Sequence, residues 1–423
     1  MNELMAIWAQ WLKPSAGLPT VQWSLLLAMA AATGHLVQRH LALPKVVGYS
    51  AVGTVAGLAG FSGAAWPLQG VGLFLLELGV SIVLFEAGSR IALRWFRHNP
   101  MVLLQSILEA VLTYAFVYWT LRYLFEVRVN VAECLALIAM VASPAVLSRV
   151  VMDTRAAGPV TERALVLSTL SALYALTLVT ARAGVMHRPD TNMFDLLYPV
   201  LVVLGLSVVV GAAMAIGLRM ALRVMSPTSE NTAILLITTI TAGTALAAHF
   251  GGSAPLAALL AGLLLKQLNP RPWAWPRQLG TAASLLIMLT FVLVSVVAAK
   301  AEWNPAVAGL VGALVAARAA GKVTGVLAAN WGSGLGWRQA VWTGCAMSPM
   351  SSVALLLVLQ FMASSLTLGP RIASIALPAI LLMEVLGAII ATLAIYQAGE
   401  SSRPGARAPS AAPPATQPGE LRG

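Results

Sequence analysis

Charge is what this chain has least of. Asp, Glu, Lys and Arg make up 10% of its 423 residues, well under the roughly 25% usual for a soluble domain. Aspartate occurs only as Asp153, Asp190 and Asp195, each expected in a loop. The two cysteines, Cys134 and Cys345, fall in different apolar stretches and suggest no disulfide framework. His35, His40, His98, His187 and His249 show no metal-ligand spacing. No nucleophile–base pair or pair of carboxylates stands at mechanistic spacing, which argues against a membrane enzyme. No metal or cofactor is expected. The first residues also lack a basic n-region and a small-residue cleavage site, so no removable signal peptide is expected.

What is abundant is apolar surface: 59% of residues are hydrophobic and the mean hydropathy is +0.84. Apolar stretches near the roughly 20-residue bilayer-crossing length recur over residues 22–397. Lipid offers the backbone no hydrogen-bond partners, so stretches this long must be helical. The expectation is an all-α polytopic membrane protein with about thirteen transmembrane helices. Residues 1–21 form an N-terminal segment, and 398–423 a disordered tail rich in Pro, Ala, Gly and Ser. One set of alternate loops, with this tail, holds most of the 26 basic residues, among them Arg90, Arg94, Arg97, Arg149 and Arg155. Cytoplasmic loops collect Lys and Arg, so the N-terminus is expected outside and the C-terminus in the cytoplasm. The net charge of +11 then faces anionic headgroups, and nucleic acid need not be invoked. Trp273 and Trp275 in "RPWAWPRQ" read as an interfacial anchor.

Two apolar runs are interrupted in the same way: "MVASPAVLSRV" at Ser143 and Pro144, and "CAMSPMSSVALL" at Ser348 and Pro349. Proline removes a helix hydrogen bond and clashes with the preceding turn. The two interrupted spans lie an odd number of spans apart, so they cross the bilayer in opposite directions. That is the arithmetic of inverted six-helix repeats, in which paired broken helices mark a transporter's substrate site. Ser148, Thr343, Ser351 and Ser352 add hydroxyls near the breaks. The plainer alternative is a pair of ordinary proline kinks.

Ionisable residues inside a bilayer are functional candidates by default. Glu86 precedes Arg90 by four residues and reads as a local ion pair. Glu133 lies near a span end and reads as structural, and Glu77 suits packing as well as transport. Glu109 and Glu384 stand mid-span among apolar neighbours. Burial disfavours a bare carboxylate, so either can take up and release a proton. Arg318 and Lys322 share one helical face. A Lys322–Glu384 or Lys322–Glu109 pair that opens on protonation is the preferred mechanism; a permanent core salt bridge is the alternative. Gly321 and Gly325 are spaced for close helix approach, and "NWGSGLGW" reads as a flexible loop.

Several stretches resemble the monovalent cation:proton antiporter superfamily, the sodium/hydrogen exchanger membrane domain. They are "LALPKVVGYSAVGTVAG", "LELGVSIVLFEAGSRI" with Glu77, "VASPAVLSRVVMDTRAAGPVTERALVLS" and "GGSAPLAALLAGLLL". The resemblance spans roughly residues 22–396. It implies a dimerisation scaffold (22–93 and 231–299), a core (101–181 and 305–396) and a linker helix (194–222). Two broken helices would cross at the core's centre, Glu109 and Glu384 would belong to the core, and the core would move against the scaffold. It also implies a homodimer, most naturally in a bacterial inner membrane. The sequence departs from the family at one point: the aspartate expected after the first break falls near Ala172 or Leu173, where there is no carboxylate. The leading expectation is exchange of protons for a monovalent cation, Na⁺ or K⁺. An anion or organic-solute carrier of the same fold, using Lys322 and Arg318, is the first alternative. A non-transporting membrane component is the second.

Overall fold

The computed structural model describes residues 18–61, 63–186, 193–226, 229–269 and 277–401. The expected anchors Trp273 and Trp275, Asp190, and most of segment 1–21 and of the tail lie outside the described residues. Among the described residues the regular elements are helices, with no strand. In chain order they are α1 Leu18–Leu41, α2 Lys45–Leu58, α3 Gly70–Arg90, α4 Leu93–His98, α5 Pro100–Trp119, α6 Val129–Met140, α7 Pro144–Thr154 and α8 Pro159–Val185. They continue with α9 Met193–Val224, α10 Glu230–His249, α11 Ala254–Leu268, α12 Arg277–Ala298, α13 Pro305–Ala328, α14 Trp337–Ala346, α15 Ser352–Ser364 and α16 Leu368–Gln397. A π-helical turn, Thr120–Leu124, extends α5.

Helix starts follow proline chemistry. Pro100, Pro144, Pro159, Pro255 and Pro305 each stand in a first turn, where the missing N–H has no partner to lose. Among the described residues, eight stretches, with α6 and α7 taken together, are long and apolar enough to cross a membrane; α11, α15 and most of α12 are shorter apolar helices. Large apolar side chains such as Val55, Val71, Val209 and Leu393 stand exposed, as expected of surfaces that meet lipid. Short α4 was not foreseen, and Asp153, expected in a loop, lies in the last turn of α7.

Small residues set the main packing contacts. Gly53 and Gly57 press α2 onto the backbone of α12 at Val292 and Val296, and Gly88 and Gly262 do the same between α3 and α11. Gly321 and Gly325 press α13 onto α5 at Thr113 and Glu109; a Cβ at Gly321 would lie 2.5 Å from Thr113 Cα. The close approach expected of this pair is therefore present. It is also what carries Lys322, between the two glycines, to the level of Glu109.

Candidate functional site

Pro144 pushes Ser143 into extended backbone (φ −89°, ψ 103°). α6 therefore stops at Met140, and α7 begins at Pro144 with Ser143 Oγ accepting from Val146 N at 3.4 Å. The second interruption runs between Ala346 and Ser352 around Pro349. The two breaks touch: Ser143 N donates to Pro349 O at 2.9 Å. Ser171 of α8 lies beside the position where the resemblance leads one to expect an aspartate. Its Oγ accepts from Ala142 N at 3.0 Å and so occupies a free amide of the first break.

Each break leaves a helix C-terminus with unpaired carbonyls and a partial negative charge at membrane depth. Arg318 meets both. Its Nε donates to Ala139 O (2.9 Å) and Nη2 to Val141 O (2.8 Å), both at the end of α6. Nη1 donates to Ser348 O (2.5 Å), and Nη2 also reaches Pro349 O (3.3 Å), in the second break. The guanidinium is buried and spends its fork on backbone carbonyls from both chains of the crossing.

One turn away, Lys322 donates to Met140 O at 3.1 Å and forms an ion pair with Glu109. Both side chains are buried. Thr113 Oγ1 donates to Glu109 Oε1 at 3.3 Å, while Oε2 has no partner. Of the two expected pairings, the structure therefore forms Lys322–Glu109 and not Lys322–Glu384.

Glu384 on α16 lies elsewhere. Gly387 lets α16 rest on the second break, where a Cβ would stand 2.6 Å from Pro349 Cα. Glu384, one turn earlier, then accepts from Ser351 Oγ at Oε1 and from Ser295 Oγ of α12 at Oε2, each at 2.9 Å. Ser351 is the N-cap residue of α15 but caps nothing, because its hydroxyl is turned to the carboxylate. Ser50 of α2 is buried without a hydrogen bond and lies beside the same group. Ser348 and Ser352 are buried at the second break.

A cavity of about 380 Å³ leads to the first break, lined by Glu86, Arg90, Trp95, Pro144, Ser148 and Glu162. Glu86 pairs with Arg90 as expected (2.5 Å), and Glu133 takes Arg182 as a partner (3.1 Å). The loop 330–336 is more tightly held than its glycines suggest. Asn330 Oδ1 accepts from Ser333 Oγ (2.6 Å), and buried Arg163 donates to Ser333 O (2.9 Å) and Gln105 Oε1 (3.3 Å). Sequence reasoning missed Ser50, Ser171, Ser295 and this Gln105–Arg163–Asn330 group. A lone serine in an apolar run carries no positional signal.

The profile of the sodium/hydrogen exchanger transmembrane family matches residues 25–396. The fold is similar to two structures of the sodium proton antiporter MjNhaP1 from Methanocaldococcus jannaschii. The structure at pH 8 aligns with a TM-score of 0.68 at 14% identity, covering 90% of this chain and 98% of that one. The electron-microscopy structure aligns at 0.69 and 14%, covering 91% and 98%. At that identity the likeness speaks for the fold. A comparison with curated protein sequences returns no match.

Proposed function

Because the chain belongs to the sodium/hydrogen exchanger transmembrane family, we propose that it exchanges protons for a monovalent cation, Na⁺ or K⁺, by alternating access. The observation that carries this reading is the contact of the two broken helices, Ser143 N to Pro349 O, with Arg318 seated on the carbonyls of both. Non-helical backbone at membrane depth is tolerated only where it is buried in protein or lines a polar pathway. The cavity that reaches Pro144 supplies such a pathway from one side.

In this reading α1–α3 and α10–α12 are the scaffold, α5–α8 and α13–α16 the core, and α9 the linker, giving thirteen crossings. Packing supports two inverted repeats: α2 against α12 mirrors α11 against α3, and α5 meets its counterpart α13 directly. The scaffold serves a homodimer in a bacterial inner membrane, N-terminus outside and C-terminus in the cytoplasm. The Lys322–Glu109 pair is neutral as a whole and braces α13 to α5. Opening a buried pair costs several kcal/mol, so carriage falls to another group. The anion-carrier alternative finds little support, since Arg318 and Lys322 are both already engaged.

The test is dequenching of a pH-sensitive dye in proteoliposomes. Addition of Na⁺ or K⁺ to acid-loaded vesicles is expected to restore fluorescence. No response to Na⁺, K⁺ or Li⁺ at several pH values contradicts the proposal.

A further inference from the structure

The family resemblance implies a carboxylate in the helix after the first break, and α8 carries none at depth; its only acid, Glu162, stands in the first turn. Three other acids within the described helices have cationic partners. Glu86 has Arg90, Glu133 has Arg182 and Glu109 has Lys322. Glu77 is only partly buried. Among the described residues, Glu384 is the fully buried carboxylate without a cationic partner. The groups acting on it are Ser295, Ser351 and Ser50. Of the charged side chains on the elements packed against α16, Arg318 sits on carbonyls, Lys322 on Glu109, Glu133 on Arg182 and Arg149 on Ser284 Oγ; Asp153 accepts from Lys45 N, and Arg338 is exposed.

We infer that Glu384, with the hydroxyls of Ser351, Ser295 and Ser50, is the site where a proton and a monovalent cation replace one another. This inference rests on the exchanger reading and names its binding group. A carboxylate buried in lipid without a counter-ion needs a proton or a cation to balance it. One negative charge is neutralised by one monovalent ion, whereas a divalent ion leaves an uncompensated charge. The donor set is all oxygen, two from the carboxylate and three from hydroxyls, which suits a hard cation. On cation entry the carboxyl proton leaves, and the carboxylate and serine oxygens take its place around the ion.

The position supports the assignment independently. Ser351 belongs to the second break, whereas Ser295 and Ser50 belong to α12 and α2. Glu384 thus bridges the crossing and the two helices proposed to stay still while the core moves. Bare, the carboxylate holds the two bodies together through hydroxyls. Neutralised, it can slide past them. The unpartnered, fully buried Ser50 Oγ is a ready oxygen beside the carboxylate.

The test uses the full-length purified protein, with NaCl, KCl or LiCl as probe against choline chloride. Wild type is expected to gain thermal stability with one of these cations at alkaline pH and to lose the gain as pH falls. Glu384→Gln is expected to fold, show no cation-dependent gain and give no cation-driven proton movement in proteoliposomes. Ser351→Ala and Ser295→Ala are expected to raise the half-saturating cation concentration about tenfold, as loss of one oxygen ligand implies. A Glu384→Gln protein that still exchanges cation for protons overturns the inference and leaves the exchanger reading standing. If Glu384→Gln does not fold, the serine variants decide, and unchanged half-saturation overturns the inference. A wild type that gains stability with cation through Glu384 but moves no protons upholds the site and overturns the exchanger reading. A wild type that does neither overturns both.

Discussion

The two mid-span glutamates are equally buried and differently built. Glu109 sits where Gly321 and Gly325 press α13 onto α5, and a lysine answers its charge. Glu384 sits where Gly387 presses α16 onto the second break, and only hydroxyls answer it. The same residue type therefore serves two ends. A paired carboxylate is held by its partner, whereas the hydroxyl-bound one has no cation beside it, which is what the proposed ion site rests on. Burial alone does not make a transport group; the neighbours decide.

The sharpest way to break this contrast is to remove the lysine. Lys322→Met leaves Glu109 bare and is expected to destabilise the protein by about 3–5 kcal/mol. Adding Glu109→Gln is expected to recover most of that, read as the melting temperature of the single and double variants. Arg318→Ala is expected to cost about 3 kcal/mol or more, because several buried carbonyls from both breaks lose their donor together. Arg318→Lys recovers part of the loss, since an ammonium lacks the fork that spans both chains.

Gly387→Ala probes the other side. Its Cβ would meet Pro349 Cα at 2.6 Å, so α16 must shift from the break. The expected loss is about 1–3 kcal/mol, together with weaker cation-dependent stabilisation. A change in stability with unaltered cation response would separate Glu384 from the break. The smallest expected effect lies outside both sites. Glu400 accepts from Val160 N and Thr161 N, each at 2.7 Å, at the start of α8. Glu400→Gln removes a carboxylate from a helix N-terminus and is expected to cost about 0.3–1 kcal/mol, measured by thermal unfolding at low salt.

The helices and their two breaks were legible in the sequence. The apolar runs give helices because lipid leaves no alternative, and the Ser-Pro pairs mark the breaks because proline cannot continue the hydrogen-bond ladder. The four-residue spacing of Arg318 and Lys322 put both on one face, and both do reach the crossing. The choice between Glu109 and Glu384 was not legible. Lys322 and Glu109 stand 213 residues apart in sequence, and only helix packing brings them together. Ser50 and Ser295 were hidden for a different reason: serine is neutral enough to sit in any apolar helix, and only the carboxylate opposite gives it a role, whereas Ser351 stood out beside the second Ser-Pro pair. The Glu133–Arg182 pair and the Arg163 contacts to loop 330–336 are likewise products of packing.

The most direct measurement is an infrared difference spectrum of the purified protein, recorded as choline is replaced by Na⁺ or K⁺ at constant pH. The account predicts loss of one protonated-carboxyl band on cation binding, missing in Glu384→Gln and retained in Glu109→Gln. A band that persists in Glu384→Gln, or one that vanishes only in Glu109→Gln, would contradict it.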